Sequence, residues 1–163
     1  MKCEIDKTVK IEKFVDIEES PRGTLLRIGA GSVVDNFVKF KPVGGSGNIL
    51  IGKNVSINSG CVFYSGNGIE IGDNVLIGPN CNFVPVNHEY ADKNKIIKEQ
   101  RFMTSKGGIK IGNDVWIASQ VTLVDGAIVP DGCVIGACSL VNSKLEPYGV
   151  YLGVPAKKVG SRQ

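Results

Sequence analysis

A six-residue period runs through most of this 163-residue chain and constrains its fold more than any other feature. Each unit opens with an aliphatic residue, continues with glycine or another small or polar residue, and places a small or valine side chain fifth. Ile51-Gly52-Lys53-Asn54-Val55-Ser56, Ile71-Gly72-Asp73-Asn74-Val75-Leu76 and Ile111-Gly112-Asn113-Asp114-Val115-Trp116 show the pattern most clearly. From Ile111 the phase holds unbroken through Ile117, Leu123, Val129, Ile135 and Val141. Repetition at a fixed short period marks a stacked solenoid, because one unit cannot bury its apolar face alone.

The hexads group in threes. Ile28, Val34 and Phe40 open one set; Ile51, Ile57 and Phe63 the next; Ile71, Ile77 and Phe83 a third. Ile111, Ile117 and Leu123 begin the fourth, and Val129, Ile135 and Val141 the fifth. Each set closes a three-sided coil with one short strand per side. The expected fold is therefore all-β, a parallel β-helix of about five coils over residues 28–152. Successive sets start 23, 20, 40 and 18 residues apart; a plain coil takes 18, which leaves insertions of 5, 2, 22 and 0. Each insertion follows a third hexad and so leaves from one corner, the face on which solenoids often bind. The longest spans residues 89–110, where lysines, Glu99 and Arg101 mix with Ile96, Ile97, Phe102 and Met103. This arm either shapes a pocket or extends an interface. Residues 1–27 fit the repeat poorly, so an irregular edge strand or N-terminal cap is expected there, and a tail over 153–163.

The coil accounts for the composition. The 21 glycines are expected at turns, where positive φ strains larger residues. Cys61, Cys81 and Cys133 share the inward fifth position with Ser32, Val55, Val121, Ala127 and Ser139, and read as small hydrophobes. Cys138 falls outside that position and its role stays open. The five cysteines contain no CxxC pair, which argues against a disulfide framework. A net charge of +3 without a Lys/Arg run gives no footprint for nucleic acid. No apolar stretch approaches membrane-spanning length, and Met1–Asp6 lacks a signal-peptide core, so a cytoplasmic protein without membrane insertion is expected.

Two single-copy residues stand out. His88, the only histidine, occupies an outward sixth position directly before the 22-residue insertion. An imidazole at a pocket edge suits general-base chemistry near neutral pH; the alternative is a solvated loop histidine. Trp116, the only tryptophan, is also at an outward sixth position and belongs either to a binding pocket or to a subunit interface.

Besides the repeat, three segments carry a family resemblance: Asn87-His88-Glu89-Tyr90, Gly112-Asn113-Asp114-Val115-Trp116-Ile117, and Gly153-Val154-Pro155-Ala156-Lys157-Lys158-Val159. Over about residues 28–160 the chain resembles the hexapeptide-repeat acyltransferases, particularly bacterial sugar O-acetyltransferases. The resemblance implies a left-handed coil, an exception to the usual right-handed crossover, and a homotrimer with active sites between subunits. It implies acetyl-CoA as acyl donor, no metal, and a small-molecule, sugar-class acceptor. His88 is then the catalytic base: it takes the proton of an acceptor hydroxyl that attacks the thioester, and returns it to the departing thiolate. Asn87 and Glu89 are candidates to orient His88 or bind the acceptor, although Asn87 also sits at an inward fifth position. Trp116 is implied to line the acceptor or pantetheine pocket near the neighbouring subunit's histidine. Ser119 and Ala137 are implied to flank the pantetheine arm. Pro155, Lys157 and Lys158 belong to the Gly-x-Pro-Ala motif, and the lysines are candidates for the coenzyme phosphates, with Arg162 adding charge. Val141-Asn142-Ser143-Lys144-Leu145 departs from the Val-Thr-Lys frequent in relatives, with Lys144 as the candidate substitute.

Three rivals remain in view. A β-helix carbonic anhydrase needs three histidines on zinc, which one histidine per chain does not supply. An N-acetyltransferase of an amino-sugar nucleotide would share the coenzyme site. A non-catalytic β-helix scaffold leaves the outward His88 and Trp116 unexplained.

Overall fold

The computed structural model describes residues 1–163 as a three-sided parallel β-helix. The first side stacks Lys2–Ile5, Leu25–Ile28, Ile49–Ile51, Ile69–Ile71, Ile109–Ile111 and Ile128–Val129 in chain order. Lys10–Ile11, Val33–Val34, Ser56–Ile57, Leu76–Ile77, Trp116–Ile117, Val134–Ile135, Gly149–Leu152 and Lys157–Ser161 form the second. Asp16–Ile17, Lys39–Lys41, Val62–Tyr64, Asn82–Val84, Thr122–Val124 and Leu140–Val141 form the third. Neighbouring coils pair in parallel; only the last pair, Gly149–Leu152 with Lys157–Ser161, is antiparallel.

Parallel pairing in register stacks each hexad's first residue on its counterpart one coil away. Ile28, Ile51, Ile71 and Ile111 form one such column, and Val34, Ile57, Ile77, Ile117 and Ile135 another. The third column carries the aromatics. Phe40, Phe63 and Phe83 are fully buried and stack with ring centroids 5.1 and 4.3 Å apart. Cys61, Cys81 and Cys133 are buried at the expected inward positions. The adjoining Cys81 thiol and burial push the Cys61 thiol far up, which keeps it neutral and unreactive.

Two boundaries differ from the sequence reading. Residues 2–17 form a regular sixth coil, with Ile5, Ile11 and Ile17 paired to Ile28, Val34 and Phe40. The six-residue spacing continues through these isoleucines, but Lys7, Lys10, Glu12 and Lys13 obscure it. The C-terminal segment is likewise no loose tail, since Lys157–Ser161 returns as a strand along Gly149–Leu152.

Glycine takes left-handed corner positions as expected at Gly31, Gly60 and Gly132, with φ of 72°, 74° and 71°, but it shares the role. At the first corner the left-handed residue is the fourth of the hexad, and Asn54, Asn74 and Asp114 take it with φ of 53°, 59° and 53°, as short polar side chains can. The second-position glycines answer a different demand, close approach between coils. A Cβ on Gly52 would lie 2.6 Å from the Gly72 carbonyl oxygen, and one on Gly72 would lie 2.7 Å from that of Gly112. A side-chain ladder accompanies them: Lys53 N–H donates to Asp73 (2.7 Å), Asp73 N–H to Asn113 (2.8 Å), and Asn113 N–H to Asp131 (2.7 Å).

The one α-helix, Ile97–Gln100, lies in the long arm, and no helix is long and apolar enough to cross a membrane. Because Phe63 packs between two rings in a column with no solvent access, Phe63→Ala is expected to cost about 3–5 kcal/mol. Denaturant unfolding of the two proteins measures it, and a loss well under 1 kcal/mol would mean the column is not a close-packed stack.

Candidate active site

Every excursion leaves the helix where the third side turns into the first: residues 18–24, 42–48, 65–68 and 85–108. Stacked coils bring stacked excursions. A Cβ on Gly45 would stand 2.2 Å from the Gly66 carbonyl oxygen, and one on Gly44 would stand 2.9 Å from the Val86 side chain. The arm rises from this layer as two antiparallel segments. Glu89 N–H donates to the Arg101 carbonyl (3.0 Å), and Met103 N–H donates to the Asn87 carbonyl (2.9 Å).

The arm's return is fixed from below by Asp125, which is 3% exposed. Its carboxylate accepts from Lys106 N–H (2.7 Å), Gly108 N–H (2.9 Å) and the Asn67 side-chain amide (3.1 Å). Asp125 escaped the sequence analysis. The signal was an acid amid the otherwise apolar or small residues of Leu123-Val124-Asp125-Gly126-Ala127.

His88 stands at the mouth of this layer. Its Nδ1 lies 3.1 Å from the Arg101 carbonyl oxygen, and its ring leans on Phe102 with centroids 4.7 Å apart at 41°. A carbonyl oxygen only accepts, so Nδ1 carries the proton and Nε2 is left with its lone pair in the neutral ring. Arg101 reaches this position with φ 65° and ψ −137°, a backbone conformation that favours glycine and costs an arginine about 1–3 kcal/mol. A cleft of about 310 Å³ surrounds His88, lined by Arg22, Gly44, Gly45, Lys98, Arg101 and Phe102. The long arm therefore contributes Lys98, Arg101 and Phe102 to the lining of this cleft.

The flanking residues behave differently from each other. Glu89 turns its carboxylate onto the N–H groups of Tyr90 (2.9 Å) and Ala91 (3.1 Å) and does not hold the imidazole. Asn87 is half-buried and contributes its carbonyl to the arm. The group that orients His88 is a backbone carbonyl, which no side-chain motif could announce.

A second set of predicted residues gathers at the corner between the second and third sides. Ser119 and Ala137 occupy equivalent positions on stacked coils, where Cys138 N–H donates to the Ser119 carbonyl (3.0 Å). The turn containing Pro155 sits on the same column: Leu140 N–H donates to Gly153 O (3.0 Å), and Ala156 N–H to Leu140 O (2.8 Å). Trp116, 51% exposed, lies on the adjoining second side, in an outward row with Leu76 and Val134. Lys144 lies apart from this corner, bridging to Ile128 on the first side. Lys158 is paired with Glu146 at 2.6 Å, which raises the lysine and lowers the carboxyl, whereas Lys157 is exposed with no ion pair. Arg162 is tied to the Asp114 carboxylate (2.8 Å) and the Gly132 carbonyl (3.2 Å). Within one chain His88 and Trp116 line separate depressions with no residue in common.

No protein-family profile matches the chain. It is 30% identical over 155 residues to a probable acetyltransferase of Mycobacterium tuberculosis, a span of 95% of this chain and 50% of that protein. It is 35% identical over 116 residues to the galactoside O-acetyltransferase of Escherichia coli, covering 69% of this chain and 53% of the relative. The structure is similar to that of AntD, an N-acyltransferase from Bacillus cereus solved with dTDP and 3-hydroxybutyryl-CoA, with TM-score 0.80 at 22% identity. That match covers 99% of this chain and 83% of AntD. The chain belongs to the hexapeptide-repeat acyltransferases. It carries their left-handed β-helix and spans about half the length of the two sequence relatives.

Asp125→Ala leaves three donors without their acceptor, so a loss of about 3 kcal/mol is expected together with fast hydrogen exchange at Lys106 and Gly108. Unchanged protection at those amides would mean that the arm is held by other contacts.

Proposed function

We propose that this hexapeptide-repeat protein transfers the acetyl group of acetyl-CoA directly to a hydroxyl of a carbohydrate, with His88 as general base. The observation that carries the reading is the bond between His88 Nδ1 and the Arg101 carbonyl. It selects the tautomer whose Nε2 is free to accept a proton, and it holds the ring at the edge of an open cleft. When bound, acetyl-CoA supplies an activated thioester carbonyl. His88 Nε2 takes the acceptor's proton as the new C–O bond forms, and the imidazolium gives that proton to the sulfur as the C–S bond breaks. Backbone N–H groups at the coil corners are the available donors for negative charge on the carbonyl oxygen. The column of Ser119, Ala137 and the Pro155 turn offers a flat, small-residue track for an extended thiol arm, with Lys157 as an unpaired cation near its end.

The separation of His88 from Trp116 within one chain supports a homotrimer in which the histidine of one subunit faces the tryptophan of the next. The outward row of Leu76, Trp116 and Val134 gives such an interface its apolar centre.

A second reading takes an amine of a nucleotide-linked sugar as acceptor. The likeness to AntD over nearly the whole chain favours it. An amine that arrives unprotonated depends less on a base, so the two readings separate on the histidine.

In assays of free-thiol release from acetyl-CoA across sugars and amino-sugar nucleotides, His88→Ala is expected to slow hydroxyl acetylation by about 100- to 10,000-fold. Release with amine acceptors alone, and little affected by the substitution, would establish the second reading. No release with any acceptor would leave a binding scaffold. A complementary measurement uses the exposed Cys138, which directly follows Ala137. Acetyl-CoA is expected to shield Cys138 from alkylation while the exposed Cys3 reacts at its usual rate; equal labelling of Cys138 with and without the coenzyme would remove the proposed track.

A further inference from the structure

The cleft around His88 is charged in one sense only. Arg22 enters from the first excursion, and Lys98 and Arg101 from the long arm, and no carboxylate lines the space. None of the three cations takes part in a salt bridge, although six such pairs form elsewhere on the chain. The Arg22 side chain makes one intramolecular bond, from its guanidinium to the Gly45 carbonyl at 3.2 Å, which fixes the side chain without neutralising it. Three unpaired cations converging on a cleft that also opens onto Phe102 repel one another and favour an anion between them.

Arg101 sharpens the argument. Its carbonyl duty toward His88 needs only a backbone, and its φ of 65° favours glycine. Glycine there would hold the imidazole equally well without strain. The arginine side chain adds one thing glycine lacks, a planar fork of donors in the cleft, suited to paired oxygens of a phosphate.

We propose that the acceptor handled by this site is anionic and carries a phosphate or diphosphate, gripped by Arg101, Arg22 and Lys98 while its hydroxyl or amine faces His88. The proposal rests on the acyl-transfer reading for its second half. Its first half, a phosphate site beside His88, stands independently. Arg101 thus joins the two functions, positioning the base through its carbonyl and the acceptor through its guanidinium.

The sole histidine makes a direct test possible, since carbethoxylation of histidine by diethyl pyrocarbonate reports on His88 alone. Inorganic pyrophosphate is expected to slow that modification about tenfold near saturation, with sodium chloride of equal ionic strength ineffective. Arg101→Gln and Arg22→Gln are each expected to weaken pyrophosphate protection about tenfold or more, and Arg101→Lys to restore part of it. Arg101→Gly guards against misfolding, because it keeps the backbone conformation and removes only the fork. Failure of pyrophosphate to protect wild type, equal protection by chloride, or full protection in Arg101→Gly would overturn the phosphate site. In turnover, a sugar 1-phosphate and a sugar nucleotide are compared with the free sugar. Preference for either phosphorylated form, lost in Arg101→Gly through acceptor KM with acetyl-CoA KM unchanged, supports the proposal and identifies which form supplies the phosphate. Equal use of the free sugar sinks it. Shielding of Cys138 without pyrophosphate protection would retire this inference and spare the transfer reading; pyrophosphate protection without acetyl-CoA binding would do the reverse.

Discussion

Backbone hydrogen bonds between coils run parallel and in register, and that one constraint organises the molecule. Each strand finds its partners a full turn away, so a residue's place in its hexad decides what it stacks on. Columns of isoleucine, valine and phenylalanine follow, as do glycines where two backbones nearly touch, and asparagine, aspartate or glycine at many of the corners that need a left-handed residue. Residues in excess of the coil cannot be absorbed within a side without breaking the register of every neighbour. They are expelled at a corner, and here all of them leave at the same one.

That expulsion builds the candidate active site. Segments far apart in sequence, around Arg22, Gly44 and Arg101, become neighbours because they are surplus at equivalent points of successive coils. The rigid stack serves as foundation, and Asp125 ties the longest excursion to it through the N–H groups of Lys106 and Gly108, and the excursion beneath through the Asn67 amide. His88 then needs only one further restraint, the Arg101 carbonyl, to have a defined tautomer. Precision at the base comes from backbone held by backbone, which is stiffer than a side chain held by another side chain.

The sequence made the periodic part of this arrangement legible. The five coils from Ile28, the inward cysteines and the common corner of the insertions all follow from counting in sixes. The sixth coil was countable too, through Ile5, Ile11 and Ile17, but a dense lysine and glutamate background obscured it. The interior of the long arm was not legible, because it belongs to no repeat. Its key contacts are a carbonyl of Arg101 and a carboxylate, Asp125, that sits where the pattern tolerates almost any residue. Glu89 looked well placed to orient His88 by proximity in sequence, yet its carboxylate is taken by the two amides that follow it. Local competition for hydrogen bonds decided its role, and spacing carries no record of such competition.

The antiparallel return of Lys157–Ser161 has a consequence for how this molecule behaves in a crowd. A solenoid stacked in register presents, at its last coil, the same unsatisfied edge that its own next coil would have used. A second molecule docking there head to tail would extend the stack, and a third would extend it again, giving a fibre with no natural limit. The final strand spoils this surface on the second side by running the wrong way, with a register shift between Val150 and Tyr151. On this side an incoming coil would meet a strand of the opposite direction, so stacking in register is not continued there.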